Sequence, residues 1–175
     1  MRWMWIDRII AYEPQQRLIA VKNVSLAEDH LHDHFAAEGG LDALPLMPAS
    51  LMIEGMAQTA GILVGAAKGF REKVILAKIT AARFDVEVTP GQTLRYEAEL
   101  ERLDDLGAST RGIVSRLDPS RELTAESWEE IGRVDLMFSH VDRNVSGLEF
   151  PEENFVFSEN FRTILRTAGL GELFE

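Results

Sequence analysis

The stretch PASLMIEGMAQTAGILVGAAKGF, residues 48–70, holds the residues that decide how this chain folds. Pro48 suits a first helical turn, an entry lies close to Ser50, and Gly69 supplies a stop, so the segment predicts a helix over Pro48–Phe70. Leu51, Met52, Ile53, Met56, Ala57, Ala60, Ile62, Leu63 and Val64 leave it almost no polar face. A helix that is apolar all round must be covered on most sides. Between Pro48 and Ala67 its only ionisable side chain is Glu54.

The segments on either side supply the cover. After Lys73 the pattern changes to period two, predicting strands near Val74–Val88, Thr93–Leu103, Ala108–Leu117 and Glu129–Val141. Pro90-Gly91, Asp104-Asp105-Leu106-Gly107 and Asp118-Pro119-Ser120 separate them, and the first is long enough to bend near Ala81-Ala82. Before the helix, Trp3–Tyr12 and Arg17–Ser25 read as two strands around the turn Glu13-Pro14-Gln15-Gln16. Glu28–Asp42 reads as a loop with one helical turn. Two strands, a buried helix, then four antiparallel strands fit a curved antiparallel sheet wrapped around one central helix. That is an α+β hot-dog domain, expected over residues 1–142. Residues 143–175 are expected to pack back on it, with a short amphipathic helix over Glu159–Ala168 that carries Phe161, Ile164 and Leu165 and stops at Gly169.

The bulk properties narrow the classes further. At 175 residues the chain buries about two-thirds of its unfolded surface. With no cysteine, disulfides, thiolate metal sites and a cysteine nucleophile are excluded. No apolar run of 18 residues lacks a charge, and Asp7 and Arg8 cut short the apolar start, which argues against a spanning helix and a signal peptide. The expectation is a cytoplasmic protein with no membrane association. A net charge of −11 repels phosphate-rich partners, so nucleic-acid binding is disfavoured. Lys68, Arg71, Lys73, Lys78 and Arg83 form a loose basic cluster, read either as solvated residues or as a dock for an acidic partner.

Three of the four histidines, His30, His32 and His34, fall in one short stretch, and Glu54 follows. A carboxyl group in an apolar setting tends to stay protonated near neutrality, while a neutral imidazole accepts a proton, so the two make an acid/base pair. Gln58 lies one turn beyond Glu54 and can hydrogen-bond the carboxyl group or a ligand. Backbone N–H groups near Ala49 and Ser50 lack intrahelical partners and can polarise a carbonyl. The run His30-Leu31-His32-Asp33-His34 is one residue short of the His-x-His-x-Asp-His pattern of metallo-hydrolases, so no metal or other cofactor is expected. Gly39-Gly40 is too little for a phosphate loop, and Asn23-Val24-Ser25 and Asn144-Val145-Ser146 match the glycosylation triplet only as chance patterns do.

Asp33-His34-Phe35, then Pro45-Leu46-Met47-Pro48, then Leu51-Met52-Ile53-Glu54-Gly55-Met56-Ala57-Gln58 resemble the 3-hydroxyacyl-ACP dehydratases of fatty-acid synthesis. The likeness continues through Ile6-Asp7-Arg8-Ile9, Phe84 and Val88-Thr89-Pro90-Gly91, and covers roughly residues 3–142. By position it implies that His34 removes the C2 proton of a 3-hydroxyacyl chain and Glu54 protonates the departing hydroxyl. Phe35, Met47, Pro48, Ala49, Ser50 and Gln58 would line the substrate. The substrate would be a thioester of acyl carrier protein or CoA, in an apolar tunnel between two subunits that each supply one catalytic residue. The implied assembly is a homodimer, able to build further into a trimer of dimers.

The chain also departs from that family. Ala36-Ala37 replace a Pro-Gly, Ala49 replaces a glycine whose N–H helps hold the thioester carbonyl, and six extra residues near Glu38–Leu44 separate His34 from the helix. The insertion is expected to re-aim His34, and alanine at 49 gives up positive φ. Thioester hydrolysis, with Glu54 activating water, and acyl-thioester binding without turnover are the alternatives. Phe150, Phe155, Phe157 and Phe161 either cover the acyl tunnel or pack on the sheet.

Overall fold

A computed structural model describes residues 3–120, 127–141, 157 and 159–174. Strands β1 (Arg8–Glu13) and β2 (Arg17–Asn23) form a hairpin. Its turn places Gln15 at φ +57, and Arg17 clamps the exit by ion pairs to Glu13 at 2.7 Å and Glu97 at 2.8 Å. Helices α1 (Asp29–Asp33) and α2 (Ala49–Ala67) follow, then β3 (Lys73–Phe84), β4 (Thr93–Leu103), β5 (Gly107–Leu117) and β6 (Trp128–Val141). Helix α3 (Glu159–Thr167) and a 3-10 turn, Gly171–Phe174, end the described chain.

All six strands join one antiparallel sheet in the order β1-β2-β4-β5-β6-β3. Helix α2 crosses its inner face, where alternate residues of β4 (Leu94, Tyr96, Ala98) are fully buried with Met56, Ala60, Ile62, Leu63 and Val64 of the helix. This is the hot-dog arrangement expected from the element order. Helix α2 is also, by length and composition, long and apolar enough to cross a membrane. Here it is the core helix of the sheet.

Helix α2 ends earlier than predicted, at Ala67 rather than Phe70. Gly69 adopts φ +61, its N–H donates to Ala66 O at 3.0 Å, and the Phe70 N–H donates to Gly65 O at 2.8 Å. Those two bonds are the Schellman closure, which satisfies the last carbonyls and turns the chain toward β3. The first strand also starts later than predicted, at Arg8 rather than Trp3. Trp5 and Ile6 are buried, and the Trp5 N–H donates to the Gln58 side chain at 2.8 Å. The segment is thus committed to the helix, and pairing with β2 begins only at Asp7 N–H to Val21 O. Strand β3 stops at Phe84, short of the expected Val88, and its bend falls at register shifts between Leu76/Lys78 and Ile79/Ala81. It is an edge strand and is exposed from Ala77 to Arg83. Phe150, Phe155 and Asn144 lie outside the described residues. Of the described tail, Ile164 and Leu165 join the core.

The helix sits this close to the sheet because glycine stands on both sides of the contact: Gly112 of β5 leaves room for Met56, and Gly55 of the helix leaves room for Tyr96. A methyl group on Gly55 would lie 2.5 Å from Tyr96 Cζ, and the Tyr96 ring is fully buried. A methyl group on Gly61 would meet only Phe138, at an ordinary 3.7 Å. Helix propensity favours alanine over glycine by about 1 kcal/mol at either position. Overpacking a rigid core costs about 1–3 kcal/mol. The two substitutions should therefore have opposite signs. Urea unfolding of Gly55→Ala is expected to show a loss of about 1–2 kcal/mol, and of Gly61→Ala a gain of up to about 1 kcal/mol.

Candidate active site

His34 is the C-cap of α1, where its N–H donates to His30 O at 3.0 Å. Its ring is half-buried, with Nδ1 2.7 Å from the Leu46 carbonyl oxygen. A carbonyl only accepts, so the Nδ1 atom carries a hydrogen, and in the neutral ring the lone pair is on Nε2. That is the tautomer of a proton acceptor.

The support beneath α1 is polar and then aromatic. The buried Lys22 ammonium lies 2.6 Å from Glu28, which caps the start of α1, and 3.5 Å from Asp7. Leu31 anchors the helix in the core. His30 meets Trp5 edge-on at 5.0 Å, and burial pushes its imidazole below the ordinary histidine range. His30 is therefore packed rather than exposed as its setting in a loop suggested, whereas His32 and Asp33 do face solvent.

The insertion after His34 closes on itself. Gly39 and Gly40 take φ +62 and +87 between a bridge of Glu38 and Leu41, and the Leu44 N–H donates to Phe35 O at 2.9 Å. His34 stays tied to Leu46 across this small hairpin, so the insertion leaves the ring's backbone anchor in place. Phe35, at φ +60, stacks on His34 at 4.3 Å and is exposed. Met47 is buried in the core, with its N–H donating to Val88 O. Pro48 caps α2, and Ala49 and Ser50 are its exposed first residues. Leu51 and Met52 N–H groups both donate to Pro48 O, and no described acceptor meets the N–H of Ala49 or Ser50. Ala49 begins the helix and is not among the residues at positive φ, so the position asks nothing of glycine.

Glu54 is half-buried on the flank of α2. Its Oε1 accepts two hydrogen bonds, from Trp3 Nε1 at 3.0 Å and from Gln58 Nε2 at 2.9 Å. The Gln58 amide has only one workable orientation. The Trp5 backbone N–H must meet its carbonyl oxygen, which turns the NH2 toward Glu54 and Trp3 O. With Oε1 saturated by donors, Oε2 is the oxygen left to carry or release a proton. Sequence spacing pointed to Gln58. Trp3 escaped it, because a contact across that much chain leaves no local pattern.

A cavity of about 250 Å³ opens beside this group. Trp3, Glu54 and Gln58 form its polar end. Ala57 and Gly61 floor it, Val74, Leu76 and Phe138 wall it from the sheet, and Phe157 and Phe161 line it from the tail. His34 is not among the lining residues, so a single chain does not bring the expected pair together at this cavity. Of the basic cluster, Lys73 is buried, Lys68 pairs with Glu72 and Asp105, and Arg83 pairs with Asp85. Arg71 and Lys78 remain exposed. Among the described residues no three His, Asp or Glu side chains converge as a metal site.

Comparison with known proteins gives these residues a setting. The chain is 41% identical over 101 residues to a 3-hydroxyacyl-acyl-carrier-protein dehydratase FabZ of Neisseria meningitidis, covering 56% of this chain and 64% of that one, which is less than two-thirds of the relative. It is 33% identical over 117 residues to the FabZ of Ruminiclostridium cellulolyticum, covering 66% of this chain and 78% of the other. Among solved structures, the dehydratase heterocomplex ApeI:P from Xenorhabdus doucetiae aligns with TM-score 0.55 at 21% identity, over 79% of this chain and 84% of that one. A thioesterase-superfamily member from Thermus thermophilus aligns with TM-score 0.53 at 14% identity, over 74% and 83%. At such identities both likenesses concern the fold alone. The sequence profile of the FabA-like domain matches residues 2–116, which is more than half of the chain, and the chain therefore belongs to the FabA-like family.

Proposed function

We propose that this protein dehydrates 3-hydroxyacyl thioesters, carried on acyl carrier protein, to trans-2-enoyl thioesters in the cytoplasm. The observation that carries the reading is the pairing of roles: an imidazole whose Nδ1 is spent on a carbonyl, and a carboxyl group with one oxygen saturated at the mouth of an apolar cavity. His34 Nε2 takes the proton from C2. The C3–O bond breaks as Glu54 gives its proton to the departing hydroxyl, so water leaves and the C2–C3 double bond forms. The imidazolium then returns its proton to the Glu54 carboxylate through solvent. The free N–H groups at the start of α2 hold the thioester carbonyl oxygen, where charge builds up as C2 loses its proton.

His34 and the cavity lie apart in one chain, so the site is completed by a second copy in a homodimer. The exposed edge of β3 supports this, since two such edges can pair and carry the sheet across a two-fold axis.

Following enoyl formation across several chain lengths, His34→Ala and Glu54→Gln are each expected to lose about 10²–10⁴-fold in kcat against wild type. Release of free thiol in place of the enoyl product would instead establish a thioesterase. Trp3→Phe removes one donor to Glu54 while keeping an aromatic wall. Its kcat is expected to fall about three- to tenfold, the worth of one hydrogen bond, with circular dichroism unchanged.

A further inference from the structure

The cavity beside Glu54 is closed by residues from outside the part of the chain that matches the FabA-like profile. Phe157 and Phe161 both follow the last strand, whereas the profile ends at residue 116. Phe157 is buried and packs edge-on against Phe70 at 4.7 Å and against Phe161 at 6.0 Å. Helix α2 is shaped to receive it. A methyl group on Gly65 would lie 2.5 Å from Phe157 Cζ and 2.8 Å from Phe70 Cδ1, so the two rings occupy the volume a side chain would need. The core residues Ile164 and Leu165 hold α3 against the domain, and Arg166 pairs with Glu159 across its outer turns.

Gly65 lies three turns beyond Glu54, about 16 Å along the helix axis. The α2 residues that line the cavity run from Glu54 to Gly61, about 10 Å of helix, and Phe157 packs one turn further on at Gly65, so the polar groups and the tail rings lie toward opposite ends of one space. Its single polar end, made by Glu54, Gln58 and Trp3, suits the reacting carbons of a thioester. The remainder suits an alkyl chain. A cavity of about 150 Å³ holds benzene, so at that density about 250 Å³ holds about ten carbons.

We propose that Phe157 and Phe161 form the terminal wall of the acyl pocket and set the chain length that the protein accepts, at about ten carbons. The proposal rests on the acyl-thioester reading of this site. Phe161 is the ring to change, because it is only half-buried and its loss leaves the core intact.

The test uses the full chain, its Phe161→Ala and its Phe161→Trp variants, with 3-hydroxyacyl pantetheine thioesters from six to sixteen carbons. Two quantities are read: kcat/KM for enoyl formation, and Kd for the matching non-hydrolysable amides by calorimetry. In wild type both should be best near ten carbons and worsen beyond. Phe161→Ala should move the optimum up by two carbons and raise the preference for the longer chain about tenfold, the effect of burying two more methylenes. Phe161→Trp should move it down. Superimposable length profiles for the three proteins, in turnover or in binding, would overturn the wall even with dehydration intact. Length-dependent binding that shifts as described, with no turnover by any of the three, would keep the wall and overturn the dehydratase reading.

Discussion

Helix α2 has nearly no polar face, so it is stable only where a sheet can wrap around it, and the sheet can come close enough only where the helix lacks a side chain. Gly55 over the Tyr96 ring is that place. Because successive helical residues point about 100° apart, fixing Gly55 toward the sheet fixes Glu54 on the flank. There Trp3 of the N-terminal segment reaches it, and the cavity it borders extends to the tail phenylalanines. The position of the carboxyl group is thus inherited from core packing. Gly65 repeats the device for Phe157 nearly three turns further along, which seats one of the rings that line the cavity.

The two candidate acid/base groups are held with few charges. Glu54 is met by an indole and an amide rather than by a cation, and His34 by a backbone carbonyl rather than by a carboxylate. Hydrogen bonds to neutral partners fix the orientation of both groups. The stronger interactions lie one layer out. Lys22 is buried between Glu28 and Asp7, where it ties α1 to the first hairpin. Of the three only Lys22 is buried, and removing Glu28 would leave its ammonium with just the exposed Asp7 carboxylate at 3.5 Å, so the Lys22–Glu28 pair is the one that holds α1.

Much of this was legible in the sequence because two periodicities carry it. Strand β4 has the predicted bounds, and β5 and β6 each start one residue earlier, because alternation is clean where one face meets the helix and the other does not. The same rule failed at Trp3–Ile6, where apolar residues in an extended chain look like a strand but serve the helix. Within the site, Gln58 follows from the i, i+4 relation to Glu54. Trp3, Phe157 and Phe161 do not follow from any local relation. Aromatic residues near both chain ends were visible, but what brings them to one cavity is the packing of both ends on α2. The backbone demand at Ala49 also shows only in three dimensions, since its place as the first helical residue requires no positive φ.

The small hairpin at Glu38–Leu41 bears on how this loop can change over time. Its flanks are joined by the Phe35–Leu44 hydrogen bond, and His34 takes its own anchor from Leu46 beyond that closure. Residues added or removed inside the closed segment cost little in chain entropy, since closure scales only with the logarithm of length. The segment behaves as a module plugged into the fold. Indels there are free to drift in descendants of this gene without touching the histidine, and loop length is accordingly a poor marker of whether a homologue retains its chemistry.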